Sequence, residues 1–179
     1  TAAQVLYEAA DIYTRKVVID RGLLDHVQTG SPVLDESGVL GQVTRVYPLL
    51  SEVTLVSDRE QAIPVLNVRT GARGVAFGDP ASRDGGLELR FMAANADVQV
   101  GDLLTTSGVD GVYPPGLPVA KVAQVERRVD SAFARISCVP VAQVAGVVHV
   151  MVLQALSAPI APRPSPEVAP GPVKKGVKK

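Results

Sequence analysis

The sequence has few of the residues that build disulfides, metal sites and large aromatic cores. It contains one cysteine, two histidines, no tryptophan, three phenylalanines and four tyrosines among 179 residues. Cys138 cannot form an intramolecular disulfide, and His26 and His149 are too far apart in sequence to match a zinc-binding motif. No apolar run approaches the roughly 20 residues that cross a bilayer, and no signal peptide opens the chain. We therefore predict no cofactor, no metal site and no membrane span within this sequence.

Charge is balanced overall but unevenly distributed along the chain. Eighteen basic and eighteen acidic residues give a net charge of zero. Residues 157–179 hold five of the basic residues and one acidic residue, which leaves residues 1–156 with a net charge of −4. The six prolines and four lysines of residues 157–179 favour a disordered tail, partly in polyproline II conformation. An acidic body with few aromatic residues argues against nucleic-acid binding.

Short apolar runs separated by glycine, proline, aspartate or serine predict an all-β fold. Sixteen glycines and fourteen prolines indicate many turns. In "GQVTRVY" and "LELRFM" polar and apolar residues alternate, as they do in half-buried strands. Residues 2–10 are compatible with either a short helix or a first strand. Further strands are predicted at 16–20, 32–35, 39–47, 53–56, 63–69, 74–77, 87–92, 102–106, 117–125, 133–139 and 147–153.

An internal repeat predicts that the strands form two small β-barrels. "VQTGSPVLDESGVLGQVTRV" (27–46) aligns with "VQVGDLLTTSGVDGVYPPGLPVAKVAQV" (98–125), and each has the order glycine, strand, glycine turn, strand. We expect residues 1–70, completed by 139–156, to form the first barrel, 71–138 the second, and 157–179 the disordered tail. Glycine accommodates positive φ or close backbone approach. Structural turns are accordingly predicted at Gly30, Gly38, Gly101, Gly108, Gly111 and Gly116.

The order His26, Asp58, Ser107 in a two-barrel protein invites comparison with serine proteases. Ser107 lacks a Gly-Asp-Ser-Gly context that would supply paired amide donors for an oxyanion, and His26 precedes a strand in a turn. The stretch "TTSGVDGVYPPGLPVAKV" (105–122) is therefore interpreted as a barrel corner. Its rigid, exposed loop suits recognition better than catalysis. A serine hydrolase stays open as an alternative, as does an envelope adaptor barrel, in which "GDLL" and "GLPV" phrases also occur.

Four blocks of the sequence resemble the extracytoplasmic part of the MreC family, the bacterial rod shape-determining proteins. They are "VVIDRGLLDHVQTGSPVLDESGVLGQVTRV", "SEVTLVSDREQAIPV", "ARGVAFGD" and "GDLLTTSGVDGVYPPGLPVAKV", and they occur in the family's order. The resemblance covers residues 4–153 and is proteobacterial in style. It implies two small β-barrels, preceded in the full-length protein by a cytoplasmic end, a membrane helix and a coiled coil.

The resemblance also implies a function. The chain would be a non-catalytic periplasmic scaffold of the cell-elongation complex, anchored in the inner membrane through a segment missing from this sequence. The implied partners are MreD, RodZ, the actin-like MreB and a class B penicillin-binding transpeptidase, which the scaffold binds and activates during peptidoglycan synthesis. Self-association as a dimer or filament is implied as well. Because rigid apolar rings dominate protein interfaces, we predict that partners bind at Tyr47, Phe91, Tyr113 and Pro115.

Overall fold

The computed structural model describes residues 1–9, 13–82 and 85–156. The predicted tail, residues 157–179, lies outside these ranges. The described chain contains a one-turn 3-10 helix, Leu23–Asp25, which the sequence analysis missed. Its strands are β1 Ala2–Glu8, β2 Lys16–Ile19, β3 Pro32–Leu34, β4 Val39–Val46, β5 Ser51–Leu55, β6 Ala62–Asn67, β7 Arg73–Gly78, β8 Leu87–Arg90, β9 Leu103–Thr106, β10 Pro118–Glu126, β11 Arg135–Pro140 and β12 His149–Val152.

The strands form two closed antiparallel barrels, so the all-β, two-barrel prediction is confirmed. The strand order is β1-β12-β3-β4-β5-β2 in the first barrel and β10-β11-β8-β7-β6-β9 in the second. The first residues of the chain are strand rather than helix, because β1 pairs with both β12 and β2. Within the described residues, no helix is long and apolar enough to span a membrane.

The second barrel is inserted into the first along the chain. Strands β1 to β5 are followed by all six strands of the second barrel, and β12 then returns to close the first. The predicted boundary at residue 70 differs from the structure, because β6 pairs with β7 and β9 of the second barrel. The alternating side chains of Ile63 and Val65 are buried in that barrel's core. The second barrel therefore begins with β6.

The internal repeat is visible in the hydrogen bonds of the two β-hairpins β3–β4 and β9–β10. The amide of Gly30 donates to the carbonyl of Val43, and the amide of Gly101 donates to that of Val122, both at 2.8 Å. The amide of each valine donates in return to the carbonyl of the residue after its glycine, at 2.9 Å in both hairpins. Both glycines have a φ of +92°, a backbone angle that residues with side chains rarely adopt. The two hairpins therefore have the same hydrogen-bond pattern and the same glycine conformation.

The two barrels pack directly against each other. Val39 and Val56 are fully buried in the core cluster of the second barrel, although they belong to the first barrel and its exit loop. A Cβ atom added to Gly38 would lie 2.4 Å from the carbonyl oxygen of Pro118, so a larger residue does not fit at this contact. Nearby, the Asp35 carboxylate accepts the amide of Gln143 at 2.6 Å. The junction therefore combines apolar packing with a hydrogen bond from a backbone amide to the Asp35 carboxylate.

A buried carboxylate organises the end of the second barrel where β6 stops and β9 starts. Asp102, 8 % exposed, accepts hydrogen bonds from the guanidinium of Arg69 at 2.8 and 2.9 Å. It also accepts the side-chain amide of Asn67 at 2.7 Å and the backbone amide of Gln99 at 2.9 Å. These bonds, led by that from Arg69, hold the pKa of Asp102 well below its usual range, although burial opposes the shift. Arg69 also pairs with the exposed Asp97 at 2.8 Å.

Candidate protein-binding surface

The structure corrects the prediction for Tyr113, which is buried and not available as a surface contact. Its side chain belongs to the core cluster of the second barrel and is 2 % exposed. Its hydroxyl has no hydrogen-bond partner among the described residues, and burial raises its pKa above the ordinary value. The preceding turn is fixed by Asp110, whose carboxylate accepts the amides of Val112 and Tyr113. This turn directs the ring inward.

The predicted contacts Tyr47 and Pro115 are exposed but lie on different barrels. Tyr47 is 43 % exposed at the β4–β5 turn of the first barrel. It lies beside Leu23 and Leu24, whose amides donate to the carbonyls of Tyr47 and Pro48, and these leucines are exposed too. Pro115 is exposed in the β9–β10 loop of the second barrel, against Gly108. The four predicted residues therefore do not form one surface.

The six predicted turn glycines lie in loops at the ends of strands or at the barrel junction. Gly38 does not adopt positive φ and lies at the junction between the barrels, against Pro118. The remaining five have φ between +68° and +92°: Gly30, Gly101, Gly108, Gly111 and Gly116.

All three phenylalanines of the chain meet on the outside of the second barrel. Phe91 and Phe133 are 65 % and 57 % exposed, and Phe77 is half-buried. The rings of Phe77 and Phe91 are edge-to-face, with centroids 6.2 Å apart and an interplanar angle of 63°. We call these residues, with the flanking Arg90 and Arg135, the phenylalanine surface. Of its members, only Phe91 was predicted from the sequence as a partner-binding residue.

Two strands and a backbone reversal present the first two rings. In β7, Ala76 points into the barrel, so Val75 and Phe77 lie on its outer side. In β8, Leu89 points inward, and two-residue alternation would also bury Phe91. Phe91 instead has a φ of +65°, which ends the strand and turns its ring outward. A bulky residue held in this conformation is strained by about 1–3 kcal/mol, and such strain is typical of functional sites.

Phe133 is held opposite by the loop before β11. It forms an isolated antiparallel bridge with Ala93, two residues after Phe91. The Ser131 hydroxyl accepts the amide of Phe133 at 3.2 Å and donates to its carbonyl at 2.9 Å. A depression of about 360 Å³ lies between the two segments and is lined by Glu88, Leu89, Arg90, Phe91, Phe133, Ala134 and Arg135.

The charges around this depression are unequal. The guanidinium of Arg90 lies 4.7 Å from the centroid of Phe77, a cation–π contact, and also pairs with Glu88 at 2.9 Å. Arg135 is 3.9 Å from the same glutamate, and its side chain is 65 % exposed. Among the residues that line the depression two arginines share one carboxylate, and Glu126 of β10 is the direct cross-strand neighbour of Arg135.

The residues of the serine-protease comparison do not form a catalytic relay. The Ser107 hydroxyl is buried and has no hydrogen-bond partner among the described residues. The Asp58 carboxylate accepts the backbone amides of Arg15 and Glu60, both at 2.8 Å. His26 ends the 3-10 helix of the first barrel with a φ of +63°. A general base must contact the nucleophile, and Ser107 has no such contact.

Comparison with known proteins gives concordant results. The family model for the rod shape-determining protein MreC, barrel core, matches residues 5–154. The chain is 40 % identical over 139 residues to the cell shape-determining protein MreC of Escherichia coli K12, which is 78 % of this chain and 37 % of that protein. The crystal structure of MreC from Pseudomonas aeruginosa superposes with a TM-score of 0.80 at 35 % identity, covering 86 % of this chain and 97 % of that one.

A more distant structure shares the fold within a complex. It is MreC from Helicobacter pylori, solved with the penicillin-binding protein PBP2, and it matches with a TM-score of 0.63 at 15 % identity. The match covers 88 % of this chain and 99 % of that one. Against the full-length E. coli relative, however, the present sequence spans well under half of the protein.

Proposed function

Because its residues 5–154 match the family's barrel core, the chain belongs to the MreC family, and we propose that it is a non-catalytic periplasmic scaffold of the cell-elongation complex. In this role it binds a class B penicillin-binding transpeptidase and favours its active state during peptidoglycan synthesis. Within the same complex we propose contacts with MreD, RodZ and MreB, self-association, and anchoring in the inner membrane by a segment outside this sequence.

The observation that carries this proposal is the phenylalanine surface. Exposed aromatic rings beside arginine are the side chains that contribute most to protein–protein interfaces. Exposure of Phe91 is maintained against a backbone strain that an asparagine or glycine would relieve. The complex that contains PBP2 and an H. pylori protein of the same fold supports a penicillin-binding partner. We therefore propose that the transpeptidase binds at this surface.

The experiment is calorimetric titration of this chain with the purified periplasmic region of a class B penicillin-binding protein. Phe91→Asn and Phe133→Ser should each weaken binding by about tenfold or more, as expected for interface anchors. Asparagine tolerates positive φ, so Phe91→Asn should fold at least as stably as the parent chain. Leu49→Ser is the matched control, because Leu49 is 69 % exposed but lies on the first barrel.

Two outcomes would contradict the proposed binding mode. Binding that is lost with Leu49→Ser but kept with Phe91→Asn would move the interface to the first barrel. Absence of saturable binding with a folded chain would contradict the proposal that a penicillin-binding protein is the partner.

The non-catalytic role is checked separately with a fluorophosphonate probe, which should leave Ser107 unlabelled. Labelling that disappears in Ser107→Ala would overturn that part of the proposal.

A further inference from the structure

We propose that the phenylalanine surface selects a partner segment in which an aromatic or long aliphatic side chain lies beside a carboxylate. The apolar side chain would insert between Phe91 and Phe133, and the carboxylate would pair with Arg135. This inference rests on the proposed function, because it specifies what the partner presents to the same surface.

The apolar part of the inference follows from the shape of the depression. Phe91 and Phe133 form its exposed walls, and the buried Leu89 and Ala134 line it between them. An enclosed cavity of about 150 Å³ holds a benzene ring, so a depression of about 360 Å³ has room for one aromatic side chain. The bridge between Ala93 and Phe133 ties the two walls together, so the site is formed before a partner arrives.

The charged part follows from how the arginines are occupied. Arg90 is already engaged by the Phe77 ring on one side and by Glu88 at 2.9 Å on the other. Arg135 contacts the same glutamate only at 3.9 Å and is the more exposed of the two. Arg135 is therefore the group that gains most from a partner carboxylate, because arginine pairs with carboxylates in a fork of two hydrogen bonds.

The charge of the whole body restricts where an acidic segment can bind. Residues 1–156 have a net charge of −4, so the net charge of the body does not attract an acidic partner, whereas residues 157–179 have a net charge of +4 and compete for it. The phenylalanine surface has the opposite local sign, with two arginines and one glutamate around the depression. Attraction to this lining, without net attraction from the rest of the body, would set the orientation of the complex.

The test is an NMR titration of the ¹⁵N-labelled chain with three synthetic octapeptides. The first has one phenylalanine between two glutamates, the second replaces the glutamates with lysines, and the third replaces the phenylalanine with alanine. We expect the first peptide to shift the amides of Phe91, Phe133 and Arg135 and to bind about fivefold more tightly than the lysine peptide, the size of one exposed ion pair. The alanine peptide should bind at least about tenfold more weakly than the first.

Charge reversal supplies the matched comparison. Arg135→Glu should reverse the preference between the acidic and basic peptides, whereas Arg128→Glu, at an exposed position in the neighbouring β10–β11 loop, should leave it unchanged. Equal or tighter binding of the lysine peptide to the parent chain would overturn the inference, as would shifts confined to other residues or no binding at about 10 mM peptide.

These outcomes are separable from those of the proposed function. If the acidic peptide binds at the phenylalanine surface and the transpeptidase does not bind at all, the partner is wrong and the selected chemistry stands. If the transpeptidase binds through Phe91 while the peptides show no charge preference, the proposed function stands and this inference fails.

Discussion

Replacing Asp102 with asparagine should destabilise the second barrel strongly, because its carboxylate is buried and fully engaged. Asparagine keeps the shape of the side chain but removes the negative charge that pairs with Arg69. It also replaces one carboxylate oxygen with an NH₂ group, which cannot accept the hydrogen bonds that this oxygen accepts. Breaking a buried ion pair or a charged hydrogen-bond network costs about 3 kcal/mol. For a chain of this size that loss lowers the melting temperature by about 6–12 °C.

The matched control is Asp97→Asn, which removes a carboxylate from the same arginine. The Asp97 side chain is 63 % exposed, whereas that of Asp102 is 7 % exposed. Water and ions screen an exposed pair, so Asp97→Asn should change the melting temperature little. Urea unfolding of the parent and the two variants measures the free energies directly.

The pH dependence gives a second check with a defined sign. The pKa of Asp102 is lowered in the folded state relative to about 3.9 in the unfolded chain. Its stabilisation is therefore fully present above about pH 5 and declines as the pH falls below about 4 toward the folded-state pKa. The stability difference between the parent and Asp102→Asn should shrink in that range. Equal losses for the two variants at pH 7, or a difference that is constant down to pH 3, would refute this account of the network.

Substitutions at Gly38, Asp35 and Tyr113 test the junction and the core. Gly38→Ala should cost about 2 kcal/mol, because its methyl group would overlap the second barrel; the exposed Ser37→Ala next to it, measured by the same urea unfolding, should cost much less. Asp35→Asn should cost about 1–2 kcal/mol, since its carboxylate accepts amides from the β3–β4 turn and from the β11–β12 connection; an unchanged melting temperature would show that these hydrogen bonds do not contribute to stability. Tyr113→Phe should be neutral or stabilising in thermal unfolding because the lost hydroxyl has no partner, whereas Tyr113→Ala should cost about 3–5 kcal/mol; a destabilising Tyr113→Phe would contradict the unpaired hydroxyl.

Much of the fold was accessible from local patterns in the sequence. Each predicted strand after residue 15 overlaps an observed one, because alternation of apolar and polar residues reflects the two sides of a barrel wall. The repeat also located equivalent positions, since Gly30 and Gly101 make matching hydrogen bonds. The boundary between the barrels was harder to predict. The alternation of apolar and polar residues in β6 would suit a strand of either barrel. Only its pairing with β9, which is distant in sequence, assigns β6 to the second barrel.

The candidate site was only partly accessible, for identifiable reasons. Exposure of Phe77 was not predictable, because alternation alone does not say which side of β7 faces the core, and the structure buries Ala76 rather than its larger neighbours Val75 and Phe77. Exposure of Phe91 was not predictable either, because alternation with Leu87 and Leu89 predicts an inward ring and a left-handed backbone leaves no signal at a phenylalanine. Tyr113 was misjudged because the turn rich in glycine and proline resembles an exposed loop, whereas its side chain fills the core. Residue type near a turn does not determine side-chain direction.

The return of β12 to the first barrel has a consequence for the order in which the protein folds. Thr1 contacts Val152 across a separation of 151 residues, whereas the six strands of the second barrel lie within 62–140. During synthesis the second barrel is complete before β12 exists, so β1 and β3 wait with unpaired edges on either side of the gap that β12 fills. Contacts so distant in sequence form slowly, because a long loop must close first. Closure by β12 is therefore the expected slow step, and the waiting edges are where an incomplete chain would aggregate.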